Sequence, residues 1–177
     1  MRKNAQKMVM IALMAGILAI LSPITLPLGP IPFTLGLLGV FFISAMQPPA
    51  AAMASIGVYI LLGVIGLPVF SGFRGGPQVL AGPTGGYLLG YFLIALAISL
   101  ATKYSRRIWV QILAGLAGLA LCYGLGTVWF VLVSGTDFLS GLMLCVVPFI
   151  APDVIKMAAA LLLARLLARR LNRGRST

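Results

Sequence analysis

Long apolar runs, broken by prolines, glycines and short basic clusters, divide the chain into six segments. They lie near residues 8–22, 34–47, 50–67, 85–102, 108–133 and 150–171. About 20 apolar residues span the hydrocarbon core of a bilayer, so every segment except the short second one is long enough once tilt is allowed. The pattern predicts an all-α integral membrane protein, a single domain over residues 1–177 with six transmembrane helices.

A proline-rich stretch precedes the short second segment. Pro23, Pro27, Pro30 and Pro32 forbid a continuous helix there, and the segment ends at Gln47-Pro48-Pro49. Irregular backbone at membrane depth is tolerated only where protein or a water-filled cavity surrounds it. The stretch is therefore either a cavity wall or an ordinary external loop, and this feature alone does not separate the two.

The basic residues set the predicted orientation, because cytoplasmic loops of membrane proteins carry an excess of Lys and Arg. Eleven of the 13 bases fall near the two chain ends or between segments four and five: Arg2, Lys3, Lys7, Lys103, Arg106, Arg107, Arg165, Arg169, Arg170, Arg173 and Arg175. An even number of spans puts them all on one side. We therefore expect a multi-pass protein of the cell membrane with both termini in the cytoplasm. No convincing signal-peptidase site follows the first segment, so we expect it to remain as the first helix.

Composition narrows the possible chemistry. A chain that is 61% hydrophobic and 8% charged could not cover itself with polar surface as a soluble domain does. Its bases cluster at the ends of apolar runs and not along one polar face, which argues against nucleic-acid binding. There is no His, and Asp137 and Asp153 are the only acids. The chain therefore lacks the histidines and acids that most metal, cofactor and acid–base chemistry needs. We interpret Cys122 and Cys145 as packing residues.

Four charges remain on the predicted outer side: Arg74, Asp137, Asp153 and Lys156. Asp153 and Lys156 stand at i and i+3, so they share one helix face. Ionisable groups at membrane depth are costly and usually mark a binding site, a relay or an internal ion pair. A purely structural pair is the alternative, but apolar residues could replace such a pair at little cost. We therefore predict that the two residues bind a ligand.

The connection between segments three and four is the other candidate site. It is rich in glycine and proline, which suit tight turns with inward-facing backbone N–H groups. The chain has no Gly-Lys dipeptide and hence no Walker A motif, and no strand and acidic residue flank the glycines as a dinucleotide fingerprint requires. We interpret the connection as an ordered lid or wall that directs four side chains towards a pocket: Arg74, Gln78, Thr84 and Tyr87.

Small residues form a stripe on the first segment, at Ala12, Ala15 and Ala19. Such stripes let helix backbones approach closely in lipid. The partner is either another helix of the same bundle or a second protein, and the sequence does not separate these two cases.

Three motifs, in chain order, resemble one known family. The longest motif is similar to the signature of the biotin-specific substrate-binding (S) components of energy-coupling factor (ECF) transporters. It comprises Leu67-Pro68-Val69-Phe70 followed by Gly82-Pro83-Thr84-Gly85-Gly86-Tyr87-Leu88-Leu89-Gly90. Gly29–Leu35 resembles that family's proline-rich segment, and Pro148–Lys156 resembles its P-F-x-x-x-D-x-x-K opening of helix six. Two positions depart from the family pattern: Gly36, where Gln is usual, and Ala151-Pro152, where Pro-Gly is expected.

The resemblance implies six helices, cytoplasmic termini and a biotin pocket near the outer surface, with no cofactor. Asp153 would accept from the ureido N–H groups and Lys156 would donate to the ureido carbonyl or the carboxylate, a choice that stays open. Tyr87 and Phe33 would form apolar walls, and Arg74 is the other outer cation.

The resemblance also implies partners: a transmembrane coupling subunit, which would contact the stripe of Ala12, Ala15 and Ala19, and a pair of ATPase subunits. The missing Walker motif accords with separate ATPases. An S component for riboflavin or thiamine is the nearest alternative. A membrane-embedded transferase is a weaker one, because it would need clustered acids, or a nucleophile with a base.

Overall fold

The structure, a computed structural model, describes residues 2–26, 31–105 and 107–173, and the side chains of 4–26, 31–105 and 107–170. Within these residues it contains α1 (Arg2–Leu21), β1 (Thr25–Leu26), β2 (Phe33–Thr34), α2 (Gly36–Met46), α3 (Pro49–Val64), α4 (Gln78–Ala81), α5 (Gly85–Tyr104), α6 (Ile108–Ser134), α7 (Phe138–Cys145), a 3-10 helix (Val147–Phe149) and α8 (Ile150–Arg173).

Among the described residues, four stretches are long and apolar enough to cross a membrane: Asn4–Leu21, Gly85–Tyr104, Ile108–Ser134 and Phe138–Arg170. Helices α2 and α3 are apolar but shorter, at 11 and 16 residues. Large apolar side chains cover the outside; Met8 and Leu132, for example, are 70% and 76% exposed. An exterior of this kind suits lipid and not water, so the helical membrane protein predicted from the sequence is confirmed.

The short helix α2 lies at the centre of the bundle, where it contacts α1, α3, α5 and α8. Its Val40, Phe41 and Ile43 are fully buried. The remaining core comes from the surrounding helices, with Leu18 of α1 and Leu161 of α8 among the fully buried side chains. Because neighbouring helices cover α2 on several sides, an 11-residue helix with irregular backbone before it is shielded from lipid.

Close packing of α5 on α6 depends on glycines. A side-chain carbon on Gly90 would lie 2.5 Å from the Cys122 sulfur, and one on Gly118 would lie 2.9 Å from the Ile94 Cα. Neither position accommodates a larger residue without movement of a neighbour. Both cysteines of the chain are buried and free, as their interpretation as packing residues requires.

The helix boundaries differ from the sequence prediction at segments one, two and three, and α1 begins at Arg2, six residues before the predicted residue 8. Phe33 and Thr34 form β2, so α2 begins only at Gly36. Helix α3 ends at Val64, three residues earlier than predicted, and the chain turns at Gly66, whose φ of 106° favours glycine. The helices α4 and α7 and the 3-10 helix were missed, because the glycine- and proline-rich connections around them hide such short elements.

The N-terminus of α7 explains the position of Asp137, one of the two acids. Its Oδ2 accepts a 2.9 Å hydrogen bond from the Ser140 backbone N–H, which is the geometry of a helix N-cap. This hydrogen bond holds the pKa of the exposed Asp137 carboxyl below its ordinary value. Asp137 therefore stabilises the start of a helix and is not part of the site described below.

Candidate substrate-binding site

The strongest candidate site is built around two ionisable side chains at the start of α8. Asp153 and Lys156 are 2% and 6% exposed, and the Lys156 Nζ lies 2.8 Å from the Asp153 Oδ1. Their i, i+3 spacing on a helix brings them together, as the sequence predicts. A buried pair of this kind is tolerated only where further hydrogen bonds satisfy both groups.

Two other elements provide those hydrogen bonds. The Tyr123 hydroxyl of α6 donates to the Asp153 Oδ2 at 2.6 Å, and the Lys156 Nζ donates to the Thr34 carbonyl oxygen of β2 at 2.8 Å. The ammonium also lies 3.5 Å from the centre of the Phe33 ring, a cation–π contact. The sequence prediction missed Tyr123 and Thr34. A tyrosine in an apolar helix, whose hydroxyl must find a partner, was the available signal for Tyr123.

The β1–β2 pair fixes the irregular segment that supplies Phe33 and Thr34. The strands run antiparallel, with Thr25 opposite Thr34 and Leu26 opposite Phe33. Pro27 and Pro30 of the proline-rich stretch, and Gly29 of the matching motif, lie outside the described residues. Ile31 and Pro32, which follow, line the cavity described next, so this part of the stretch forms a cavity wall.

Pro152 stands in the first turn of α8, directly before Asp153. Helix α8 begins at Ile150 after the 3-10 helix, so Pro152 is its third residue. The first four N–H groups of a helix have no partner within the helix, and a proline there removes no helical hydrogen bond. The departure from the family pattern at Ala151-Pro152 therefore leaves the start of α8 intact.

The pair faces a cavity with two lobes. The first lobe holds about 420 Å³ of empty space, partly open to solvent, and its walls include Asp153, Lys156, Tyr123, Cys122, Cys145 and Phe149. The second lobe holds about 360 Å³ and includes Ser22, Phe70, Ser71, Val79 and Thr84. Both lobes share five residues: Ile31, Pro32, Thr34, Tyr87 and Tyr91. The five shared residues place the two lobes side by side, with the ion pair in the wall of the first.

Tyr87, predicted as a site residue, lies on the boundary between the lobes. Its ring packs against Gly126, where any side chain would clash with the ring, and its hydroxyl lies 3.2 Å from the Thr127 Oγ1. Thr84, also predicted, lines the second lobe. The glycine on α6 thus fixes the aromatic wall of the cavity.

Polar oxygens converge on Gly36 at the start of α2. A side-chain carbon there would lie 2.9 Å from both the Ser22 Oγ and the Thr34 Oγ1, and 3.2 Å from the Tyr91 hydroxyl. A glutamine, usual in the family pattern, would not fit without movement of these groups. The polar side-chain contacts at this point are therefore supplied by the surrounding hydroxyls, while Gly36 contributes its backbone N–H to the Thr34 Oγ1.

The structure places Arg74 and Gln78 outside both lobes. They are exposed and line a neighbouring loop cavity that is open to solvent and shares Val79 and Thr84 with the second lobe. The Arg74 Nε donates to the Ser71 carbonyl oxygen at 3.2 Å, and the Gln78 Nε2 donates to the Gly75 carbonyl oxygen at 2.7 Å. Arg74 therefore lies beside the cavity that holds the ion pair, and not within it.

The small-residue stripe does not form one open surface. Ala12 is exposed, Ala15 is only 1% exposed, and Ala19 is half-buried against the core. A side-chain carbon on Gly16 would contact nothing within 4 Å. The open part of α1 is therefore centred on Ala12 and Gly16, which corrects the expectation that Ala15 lies on a free face.

Among the described residues there is no group of three or more His, Cys, Asp or Glu side chains that could hold a metal ion. The chemistry of the site is instead that of an ion pair with spare hydrogen-bonding capacity beside aromatic and aliphatic walls.

Comparison with known proteins identifies the family. The BioY family model matches residues 1–173. "Biotin transporter BioY" of Thermotoga maritima is 41% identical over 142 residues, which are 80% of this chain and 83% of that protein. "Probable biotin transporter BioY" of Pyrococcus horikoshii is 33% identical over 161 residues, covering 91% and 95%.

A solved structure gives the same result. The crystal structure of the S-component for biotin from an ECF-type ABC transporter superposes with a TM-score of 0.86 at 25% identity, covering 95% of this chain and 93% of that one. The matches in sequence and in fold extend over nearly the whole chain, and on this basis the chain belongs to the BioY family.

Proposed function

We propose that the chain binds biotin and is the substrate-binding S component of an ECF-type ABC transporter, through which biotin enters the cell. The names of its relatives and of the solved structure support this function. They also favour biotin over riboflavin or thiamine. Family membership makes the chain a transport component and not an enzyme.

The single observation that carries the proposal is the buried Asp153–Lys156 pair in the wall of the first lobe. The ureido group of biotin offers two N–H donors and one carbonyl acceptor. A carboxylate has about four lone-pair sites, and Asp153 uses two of them, for Tyr123 and Lys156. The two N–H groups of the five-membered ureido ring diverge, so one carboxylate can accept only one of them. Asp153 can do so while it keeps its protein contacts.

Lys156 complements this arrangement. An ammonium has three N–H donors, and two of them are directed to Asp153 and to the Thr34 carbonyl. The third can donate to the ureido carbonyl. Because Asp153 already neutralises the charge of Lys156, the pair matches a neutral group with donors and acceptors better than it matches a carboxylate. We therefore assign the ureido end of biotin to the first lobe.

The second lobe suits the rest of the molecule. Ile31, Phe70 and Tyr91 offer apolar walls to the thiophane ring and the valeryl chain. The Ser71 Oγ is buried and has no hydrogen-bond partner among the described side chains, a polar group that a ligand or a water molecule can satisfy. Val79 and Thr84 line both this lobe and the loop cavity, and we assign the carboxylate to Arg74 in the loop cavity.

The charge distribution supports six membrane-spanning helices with both termini in the cytoplasm. Eleven of the 13 bases then lie on the cytoplasmic side, as the positive-inside rule requires. Helices α2 and α3 would complete the six, although each is shorter than a typical span. The absence of a Walker A motif from the sequence supports separate ATPase subunits, coupled through a transmembrane subunit that contacts α1 around Ala12.

Isothermal titration of the purified chain in detergent tests the function. Biotin should bind at one molecule per chain. Added ATP should leave the affinity for biotin unchanged, because the chain lacks a phosphate loop. Riboflavin and thiamine serve as controls of similar size. Tight binding of either control without binding of biotin would show that the proposed substrate is wrong.

A further inference from the structure

A second cavity lies at the other end of the bundle, far from the ion pair. It holds about 980 Å³ of empty space, partly open to solvent, between the end of α2, the end of α5, the start of α6 and the second half of α8. Its walls comprise Ala45, Thr102, Gln111, Leu161, Ala164, Arg165, Ala168 and Arg169. Along α8, Arg165 and Arg169 are about 18 and 24 Å from Asp153 at the usual rise per residue. We call it the basic cavity.

Two arginines of the basic cavity stand at i and i+4, on one face of α8. The Arg165 Nε donates to the Oε1 of the buried Gln111 at 3.4 Å, which orients the guanidinium at the cavity wall. Gln111 belongs to the first turn of α6, where the partial positive charge of a helix N-terminus also favours an anion. An anion with several oxygens, such as a phosphate group, matches the donor geometry of two guanidinium groups.

The remaining walls are apolar. Ala45, Leu161, Ala164 and Ala168 line the cavity beside the arginines, so its surface has a charged part and a hydrocarbon part. A free phosphate ion would fill only the charged part. A phospholipid presents a phosphate at the interface and an acyl chain beneath it, and basic pockets between transmembrane helices on the cytoplasmic side bind such headgroups.

We propose that the basic cavity binds one anionic phospholipid of the cytoplasmic leaflet, with its phosphate on Arg165 and Arg169 and its acyl chain against Leu161 and Ala164. This position follows from the charge distribution, which puts the end of α8 on the cytoplasmic side. The bound lipid would anchor the cytoplasmic half of α8 to α2, α5 and α6 at a place where side chains leave a gap.

Native mass spectrometry of the full chain tests this proposal. The protein is reconstituted into bilayers of equal phosphatidylglycerol and phosphatidylcholine, extracted mildly, and its retained lipid is quantified. Wild type should retain phosphatidylglycerol. R165Q and R169Q should each retain about five-fold less, the factor that corresponds to ~1 kcal/mol for one basic residue at an anionic lipid surface. R165K keeps the charge and should retain most of the lipid.

Two further variants separate the cavity from general surface charge. R170Q removes the same charge from the neighbouring position on α8, outside the cavity walls, and should retain lipid like the wild type. A168L narrows the cavity at the level of the two arginines without a change of charge and should lose lipid. Thermal unfolding without added lipid verifies that each variant is folded. If R165Q does not fold, R169Q serves as the test of the arginine pair.

Four results would overturn the proposal. They are equal retention of the two lipids by the wild type, equal loss in R170Q and R169Q, unchanged retention in A168L, and protection against unfolding by inorganic phosphate as strong as that by phosphatidylglycerol. None of these readouts depends on biotin, so failure here is distinguishable from failure of the proposed function.

Discussion

The hydroxyl of Tyr123 on α6 donates a 2.6 Å hydrogen bond to the Oδ2 of Asp153 on α8. The two residues are 30 positions apart, and this contact joins two helices directly at the wall of the first lobe. A hydrogen bond to a buried carboxylate both orients that carboxylate and reduces the cost of its burial. Tyr123 is therefore a positioning residue for Asp153.

The first prediction follows from this contact. Tyr123→Phe removes the hydroxyl and leaves Asp153 with one hydrogen-bond donor fewer, so its carboxylate loses a fixed orientation. A hydrogen bond to a charged group contributes about 1.5–3 kcal/mol, so we expect biotin affinity to fall about ten-fold or more. Tyr104→Phe is the matched control, because Tyr104 is 78% exposed and far from the site. Equal affinities of wild type and Tyr123→Phe by titration would contradict this role.

The second prediction concerns topology. Cysteines introduced at Tyr104 and Arg170 should react with an impermeant maleimide only from the cytoplasmic side, and a cysteine at Ala81 only from outside. All three positions are exposed. The native Cys122 and Cys145 are buried and supply the background signal. Reaction of positions 81 and 104 from the same side of sealed cells would refute six spans with cytoplasmic termini.

Local spacing made the central part of the site predictable from the sequence. Asp153 and Lys156 are three residues apart on one helix, so their contact follows from helix geometry alone. Tyr87 and Thr84 follow a run of glycines and prolines whose turns bring them to the cavity. In each case the decisive information lies within a few neighbouring residues.

Contacts between distant elements were not predictable in this way. Lys156 donates to the carbonyl of Thr34, 122 residues earlier, because a two-residue strand pair holds that carbonyl in place. Every residue has a backbone carbonyl, so residue types do not indicate which carbonyl accepts this hydrogen bond. The burial of Ala15 likewise depends on which side of α1 packs against α3, and the small-residue stripe fits either side.

The third prediction tests the proposed orientation of biotin. Arg74→Gln removes the cation that we assign to the carboxylate, and because Arg74 is exposed we expect a loss of about five-fold, near the upper limit for an exposed ion pair. Biotinamide, which lacks the negative charge, should bind wild type and Arg74→Gln equally. If biotinamide binding fell as much as biotin binding, Arg74 would act on the loop and not on the carboxylate.

The fourth prediction separates docking from folding on α1. Ala12→Leu adds bulk to an exposed position, so binding of biotin by the isolated chain should persist while uptake in cells with the coupling and ATPase subunits falls. Ala15→Leu overfills a buried position and should destabilise the fold by about 1–3 kcal/mol. Leu13→Phe is the control, at an exposed position about 100° around the helix axis from Ala12. Normal uptake with Ala12→Leu would exclude this docking face.

The fifth prediction distinguishes a ligand-binding pair from a structural one. Asp153→Asn turns an acceptor into a mixed donor and acceptor, and biotin affinity should fall by one to two decades, the equivalent of about 1.5–3 kcal/mol. Lys156→Met removes the other charge. Each single variant also leaves the partner charge buried without compensation, so each should be less stable than the wild type.

The double variant Asp153→Asn/Lys156→Met resolves the ambiguity, because it leaves no uncompensated charge at membrane depth. If the pair only stabilises the bundle, the double variant should recover both its melting temperature and its affinity for biotin. If the pair binds the ureido group, the double variant should melt near the wild-type temperature and still fail to bind, since the acceptor for a ureido N–H and the donor for the carbonyl are both gone. Equilibrium titration and thermal unfolding of the same preparation measure both quantities, and normal biotin binding by the double variant would refute the assignment of the ureido end to Asp153 and Lys156.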